Sequence, residues 1–310
     1  MMKEHSFTFS SRDGLELHAL RWVPSGLLRT RGVVQLVHGM AEHKERYKGF
    51  AEFLTGEGFA VYIHDVRGHG MSAGGVENQG FFAEKDGWIE AVEDLRILGA
   101  LIREEQKDIP FFLFGHSMGS LMARTFAMKY KDDLAGLILS GTSAGKGALE
   151  DVGLLIAALQ TAFKGPKHPS KLHHNLTFGA FNKPFEPGRT AFDWLTRDEK
   201  TVDAYIADPY CGAVFTCSFY RDLITGVKFI AKPEHIEEIR KDLPILLVSG
   251  EQDPVGDNTE GVKKVAQGFK AAGIGDVTMK FYHGARHEIL NETNRDEVYR
   301  DIAEWMKGRL

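Results

Sequence analysis

Cysteine is scarce: Cys211 and Cys217 are the two in 310 residues. A disulfide framework is therefore excluded, and two free thiols in a reducing compartment are expected. No long basic run occurs and the net charge is −5, so nothing favours nucleic acid as a partner. The first eleven residues are polar and charged, without the apolar core of a signal peptide. The longest apolar-rich stretch, Val152 to Phe163, is too short to span a bilayer. Internal repeats and low-complexity tracts are absent too. These absences point to a soluble cytoplasmic protein. What is present is a 43% hydrophobic, 11% aromatic chain with an ordinary 26% of charged residues. It can bury a substantial core, as one large domain or as one domain with an insertion.

The hydrophobic pattern gives the organisation. Ser6 to Ser10 and Leu15 to Val23 alternate around the Arg12-Asp13-Gly14 turn, which predicts a hairpin. Short apolar runs then recur at Val33–Val37, Phe59–Ile63, Phe111–Phe114 and Leu134–Leu139. Helical spacing lies between them, over Arg46–Glu57, Trp88–Ile102 and the residues after Ser117. Alternating strands and helices imply a mostly parallel sheet with helices on both faces. The rhythm stops over 145–232 and resumes with strands at Pro244–Val248 and Val277–Tyr282 and helices at Thr259–Ala272 and Asp296–Arg309. Residues 1–144 and 233–310 therefore read as one α/β core, and 145–232 as a mostly helical insertion. Within the insertion, helices are expected around 152–163, 197–206 and 215–229, with a basic loop over Lys164–His174.

The most informative stretch is Phe111 to Arg124, where a buried strand turns through Gly115-His116-Ser117-Met118-Gly119 into a helix. This is a G-x-S-x-G nucleophile elbow in the strand–turn–helix setting that such a motif requires. Ser117 should be strained there, with its hydroxyl lifted to the positive end of the helix. Open parallel sheets bind ligands at the carboxyl ends of their strands. The residues placed there are His38-Gly39-Met40, Asp65, Ser117, Asp253 and His287. A serine hydroxyl needs a base, and His287 supplies one. Asp253 would take the other ring nitrogen and fix the tautomer. Oxyanion donors are expected from the backbone N–H groups of Met118 and Met40. Asp65 reads as a loop tie, His283 as structural, and His38 as orienting the oxyanion loop. The His173-His174 pair lacks further ligands at useful spacing, so no metal site and no cofactor are expected.

These segments resemble the monoacylglycerol lipase and lysophospholipase-like branch of the α/β-hydrolases, the serine aminopeptidase-like hydrolases. The likeness rests on His38-Gly39-Met40-Ala41-Glu42-His43 with Arg46-Tyr47, and on Asp65-Val66-Arg67-Gly68-His69-Gly70-Met71-Ser72. It also rests on Gly115-His116-Ser117-Met118-Gly119, Ser249-Gly250-Glu251-Gln252-Asp253 and Gly284-Ala285-Arg286-His287-Glu288. The resemblance implies the α/β-hydrolase fold, Ser117, Asp253 and His287 as the triad, and a helical cap over the site. In the insertion it is weak. The cap's apolar and aromatic residues suggest a lipophilic ester substrate, with Leu155, Leu159, Phe215 and Phe219 as contacts beside His38 and Gly39. The apolar face of 152–163 could also touch a membrane peripherally. Alternatives within the fold are a short-chain carboxylesterase, a thioesterase, or an aminopeptidase using Glu186, Asp193, Asp203 or Asp208 to hold an amine. A non-catalytic binding protein is the remote alternative.

Overall fold

In the computed structural model, residues 2–25, 29–131, 133–145 and 148–310 are described. The first two strands, β1 (Met2–Ser10) and β2 (Glu16–Pro24), form the expected antiparallel hairpin. β1 begins four residues earlier than alternation alone suggests. Its polar start is held by pairing, from Met2 opposite Pro24 onward, and Glu4 accepts from the Trp22 indole at 2.7 Å.

Six further strands follow: β3 (Gly32–Val37), β4 (Phe59–His64), β5 (Phe111–His116), β6 (Gly136–Ser140), β7 (Ile245–Gly250) and β8 (Val277–Tyr282). The sheet order is β1-β2-β4-β3-β5-β6-β7-β8, antiparallel through the β2–β4 pair and parallel beyond it. Strands β3 to β7 are buried along their whole length, which explains their unbroken apolar runs.

Alternate residues serve opposite faces. Val33, Phe111 and Leu113 pack on one side, with α2 (Gly87–Glu105), α3 (Met118–Lys129) and α9 (Glu260–Ala271). Val34, Leu36, Phe112 and Phe114 pack on the other, with α1 (Lys48–Gly56) and α10 (Arg295–Lys307). The sheet is thus covered on both faces, as the rhythm of the sequence requires.

Between β6 and β7 the described residues are helical: α4 (Ala148–Lys164), α5 (Lys171–Phe178), α6 (Glu199–Ala207), α7 (Cys217–Ile230) and α8 (Pro233–Ile236). The basic loop expected over Lys164–His174 is shorter than that. Ser170 caps α5 by accepting from the His173 N–H, and the helix starts at Lys171. Helix α7 lies across α2, α3 and α4, so the segment is fastened to the core along one edge.

Strand β3 neighbours both β4 and β5, which lie on opposite sides of it. The crevice between the ends of β3 and β5 is therefore the switch point of the sheet. The Ser117 elbow and the His38–Met40 loop meet there.

Candidate active site

The nucleophile elbow is as tight as its glycines imply. Ser117 has φ 51°, a left-handed conformation that costs a non-glycine residue energy. A Cβ on Gly115 would lie 2.3 Å from the Gly119 carbonyl oxygen, and one on Gly119 would lie 2.2 Å from that of Val37. No side chain fits at either position. Ser117 is tied back through its N–H to the Ser140 carbonyl at 2.8 Å, and the N-terminus of α3 starts immediately after it.

Asp253 and His287 come together at the ends of β7 and β8. His287 Nδ1 sits 3.0 Å from both Asp253 carboxylate oxygens, and among the described residues Nε2 has no hydrogen-bond partner. Both side chains are buried. Burial opposes charge on each, but their mutual attraction and hydrogen bonding prevail. His287 is raised above its ordinary 6.5, and Asp253 is held below the ordinary carboxyl range. The His287 ring packs against His116, with centroids 4.7 Å apart, and against Trp194 at 5.2 Å. His116 is itself pushed down to about 4, by burial and then by the His287 charge, so it stays neutral.

The loop after β3 is held by a buried ion network. Glu42 accepts from the Gly39 N–H at 2.6 Å, from Tyr47 at 2.9 Å and from Arg46 at 2.7 Å. Arg46 reaches across to grip Glu288 through two bonds of 2.7 Å. One guanidinium thereby locks the His38–Met40 loop to the loop that carries His287. Burial raises both carboxyls, yet the Arg46 charge outweighs it and both lie below their ordinary range. Among the described residues, the N–H groups of Met40 and Met118 have no hydrogen-bond acceptor. Both residues line the same cavity as Ser117.

That cavity has a volume of about 430 Å³. Its lining is largely apolar and includes Leu121, Ile156, Leu176, Phe178, Trp194 and Val227. Several expected substrate contacts lie elsewhere. Leu155 and Leu159 are 61% and 50% exposed, because α4 turns Gly153 and Ile156 to the cavity and those leucines to the outside. Phe215 and Phe219 are fully buried against His69, at centroid distances of 4.7 and 5.9 Å, and form core instead. His38 is also buried: Nδ1 donates to the Gly39 carbonyl at 2.7 Å, and Nε2 accepts from the Val66 N–H at 2.9 Å. It and Gly39 shape the loop from behind without lining the cavity. Asp65 ties down its loop, accepting from the Lys44 and Met71 N–H groups at 2.9 Å and from the Lys44 ammonium at 2.6 Å. His283 is solvent-facing and bonded to Glu251 at 2.9 Å.

Glu42, Arg46 and Glu288 have no role assigned from sequence, and Trp194 only that of one of the cap's aromatic residues, which the cavity lining bears out. A partial signal existed, since Glu42 and Arg46 stand four apart as helical ion pairs do. Nothing local marks Glu288 as a neighbour of Arg46, or Trp194 as a neighbour of His287.

A family profile described as "Serine aminopeptidase, S33" matches residues 29–294. The chain belongs to this family. It is an α/β-hydrolase similar over nearly its full length to proteins named as lipases and esterases. It is 29% identical to the monoacylglycerol lipase of Mycolicibacterium smegmatis, over 99% of this chain and 98% of that one. It is 27% identical to the monoglyceride lipase of Mus musculus, over 96% and 89%. A thermostable carboxyl esterase from Bacillus coagulans, solved with glycerol, superposes with a TM-score of 0.91 at 30% identity, covering 99% of both chains.

Proposed function

We propose that the protein hydrolyses carboxylic esters with a lipophilic acyl chain, in the manner of a monoacylglycerol lipase or lysophospholipase, by an acyl-enzyme route. The observation that carries this reading is the apolar cavity shared by Ser117 and the two unengaged N–H groups of Met40 and Met118. In this mechanism Ser117 Oγ gives its proton to His287 Nε2 and attacks the ester carbonyl. Asp253 holds the ring and stabilises the imidazolium. The oxyanion accepts from the Met40 and Met118 N–H groups, and the start of α3 adds favourable potential. His287 then protonates the departing alcohol, and water reverses the sequence to free the acid. No metal or organic cofactor enters these steps.

The helical segment 145–232 acts as the cap, and α4 has two jobs within it. Ile156 faces the acyl chain, whereas Leu155, Leu159 and the 84% exposed Phe163 form an outer apolar face. Lys164, Lys167 and Lys171 follow that face in the sequence, Lys167 pairing with Glu84 at 3.4 Å. This arrangement suits peripheral contact with a lipid surface by a cytoplasmic enzyme. Among the described residues no helix is long and apolar enough to cross a membrane.

The acidic residues expected to hold an amine in an aminopeptidase lie away from the cavity, where the acidic lining residue is Glu150 instead. Asp193 accepts from the Arg189 N–H at 2.6 Å, Asp203 pairs with Arg189, also at 2.6 Å, and Asp208 lies 2.8 Å from His43. Neither these nor Glu186 lines the cavity.

A panel of p-nitrophenyl esters from acetate to palmitate, with monoacylglycerol and lysophospholipid, tests the reading. Turnover should peak at medium or long chains and fall by about 10⁴–10⁶ in Ser117→Ala. Activity confined to acetate would make the protein a small-ester hydrolase. Full activity in Ser117→Ala would refute the mechanism.

A further inference from the structure

Among the described residues, two overlapping groups of side chains outside the Ser117 cavity have the spacing of a metal centre, and one of them combines histidine, carboxylate and thiol. His43, Asp208 and Cys211 each offer one ligand atom, and the three atoms lie within 4.8 Å of one another. We propose that His43 Nε2, Asp208 Oδ2 and Cys211 Sγ form a zinc site that clamps the helical segment onto the loop after β3.

The donor set is one nitrogen, one oxygen and one sulfur, which suits a borderline-soft ion such as Zn²⁺ and not Mg²⁺ or Ca²⁺. The orienting groups are already in place. Glu45 Oε2 stands 2.6 Å from His43 Nδ1. A carboxylate there fixes the tautomer that presents Nε2 to a metal, as zinc-binding histidines generally require. Asp208 uses Oδ1 to accept from the Tyr210 N–H at 2.8 Å, which leaves Oδ2 on the His43 side, 2.8 Å from Nε2. The Cys211 N–H closes the same turn on the Asp208 carbonyl at 3.0 Å, so carboxylate and thiol emerge together. Tetrahedral zinc holds its donors roughly 3.3–3.7 Å apart. The His43–Asp208 contact must open by about half an ångström to admit the ion, a side-chain adjustment.

Access is available. His43 is buried, but the Asp208 and Glu45 side chains are 30% and 49% exposed, so the cluster opens to solvent on their side. One coordination position remains for water. A neighbouring group, His43, Glu45 and Asp65, also has the spacing of a metal site. It is already served by a cation: the Lys44 ammonium lies 2.6 Å from Asp65 and 2.8 Å from Glu45.

The clamp would reinforce contacts already made. Ala41, next to Met40, accepts from the Gly212 N–H at 3.0 Å and from the Tyr205 hydroxyl at 2.9 Å. A zinc ion would add a second tie between the same two stretches. Binding releases the Cys211 thiol proton and any proton on His43 Nε2, so affinity weakens as pH falls. This inference is independent of the substrate, and its test does not use turnover.

The experiment is titration of the chelator-treated full-length protein with CoCl₂ and ZnCl₂. Cobalt should give a thiolate charge-transfer band in the near ultraviolet and tetrahedral visible bands, and zinc should abolish both. At a hundredfold excess over its Kd, zinc should raise Tm by about 4 °C. Cys211→Ser, a near-isosteric change, should remove the thiolate band, His43→Gln should abolish the Tm shift, and Cys217→Ser should retain both effects. A cobalt spectrum without a thiolate band, or one that survives in Cys211→Ser, would overturn the site. So would an unaltered zinc-induced shift in His43→Gln, or no shift at all in the parent protein.

Discussion

The strand-end loops and the helical segment between β6 and β7 face each other across one cavity, yet they are built on different physics. In the loops the groups assigned to the proposed mechanism are held by backbone constraint and hydrogen bonds. Ser117 is fixed by two glycines that admit no Cβ, His287 by Asp253, and Gly39 by Glu42. In the helical segment the backbone is hydrogen-bonded to the loops, Leu195 accepting from the Glu288 N–H at 2.7 Å, but the side chains turned to the cavity are placed mainly by apolar and aromatic packing. Trp194, for example, rests on Phe178 and Phe181 at centroid distances of 6.0 and 5.0 Å and meets His287 at 5.2 Å. Packing of this kind tolerates substitution, whereas a hydrogen-bonded constellation does not. The chemistry should therefore be fixed by the loops and the substrate range tuned by the segment.

The sharpest way to break this contrast is to attack the most constrained group. Asp253→Asn should keep the fold and cut kcat by about 10⁴, because the amide stabilises the wrong imidazole tautomer. The same pair sets the pH response. Burial favours the neutral His287 ring, but the Asp253 charge and hydrogen bonds raise its pKa above 6.5. In the proposed mechanism His287 acts as a base only when neutral, so kcat/KM should fall about tenfold per pH unit below a midpoint above pH 6.5. The other buried histidines near the site do not compete. Burial pushes His38, His64 and His69 down to about 3, so they stay neutral throughout this range. A flat profile from pH 5 to 8 would argue against a histidine base.

Next in size is the ion network that joins the two loops. Arg46→Gln leaves Glu42 and Glu288 buried and uncompensated, at a cost of about 3–5 kcal/mol. For a chain of this length that corresponds to a fall in Tm of about 5–8 °C. Both carboxyls lie below their ordinary range, since the Arg46 charge overcomes the effect of burial. The stability they contribute is present at neutral pH and is lost as pH falls through their folded values. The Tm difference between Arg46→Gln and the parent should therefore shrink in acid. In the helical segment, by contrast, Arg189→Gln removes a pair with Asp203 whose partners are 39% and 59% exposed. Its Tm should not change.

The same contrast explains what could be read from the sequence. Buried parallel strands are continuous apolar runs, so β3 to β7 and the residues after them were legible, as was the order Ser117, Asp253, His287. The link from Arg46 to Glu288 spans 242 positions and has no local signature. The helical segment was legible only as helix. Phe215 and Phe219 look like pocket aromatics in the sequence, but the core beneath needed them: Phe82 meets Phe219 at 4.5 Å. α5 was hidden because Lys171, His173 and His174 look like loop residues until Ser170 is seen to cap them.

Helix α4 supplies the finest test, because adjacent residues on it differ in role. Ile156 lines the cavity, whereas Leu155 is 61% exposed. Ile156→Ala should widen the acyl site and shift the preferred ester chain length, changing relative kcat/KM by about tenfold between neighbouring chain lengths. Leu155→Ser should leave stability within about 0.5 kcal/mol and turnover of soluble esters unaltered. Its effect should appear on vesicle-borne substrate alone, as a higher apparent KM at unchanged kcat, because it removes apolar area from the outer face and touches nothing near Ser117. If Leu155→Ser changed the chain-length preference of soluble esters instead, α4 would have to turn its outer face inward during the reaction. The division of this helix into an acyl side and a lipid side would then fail.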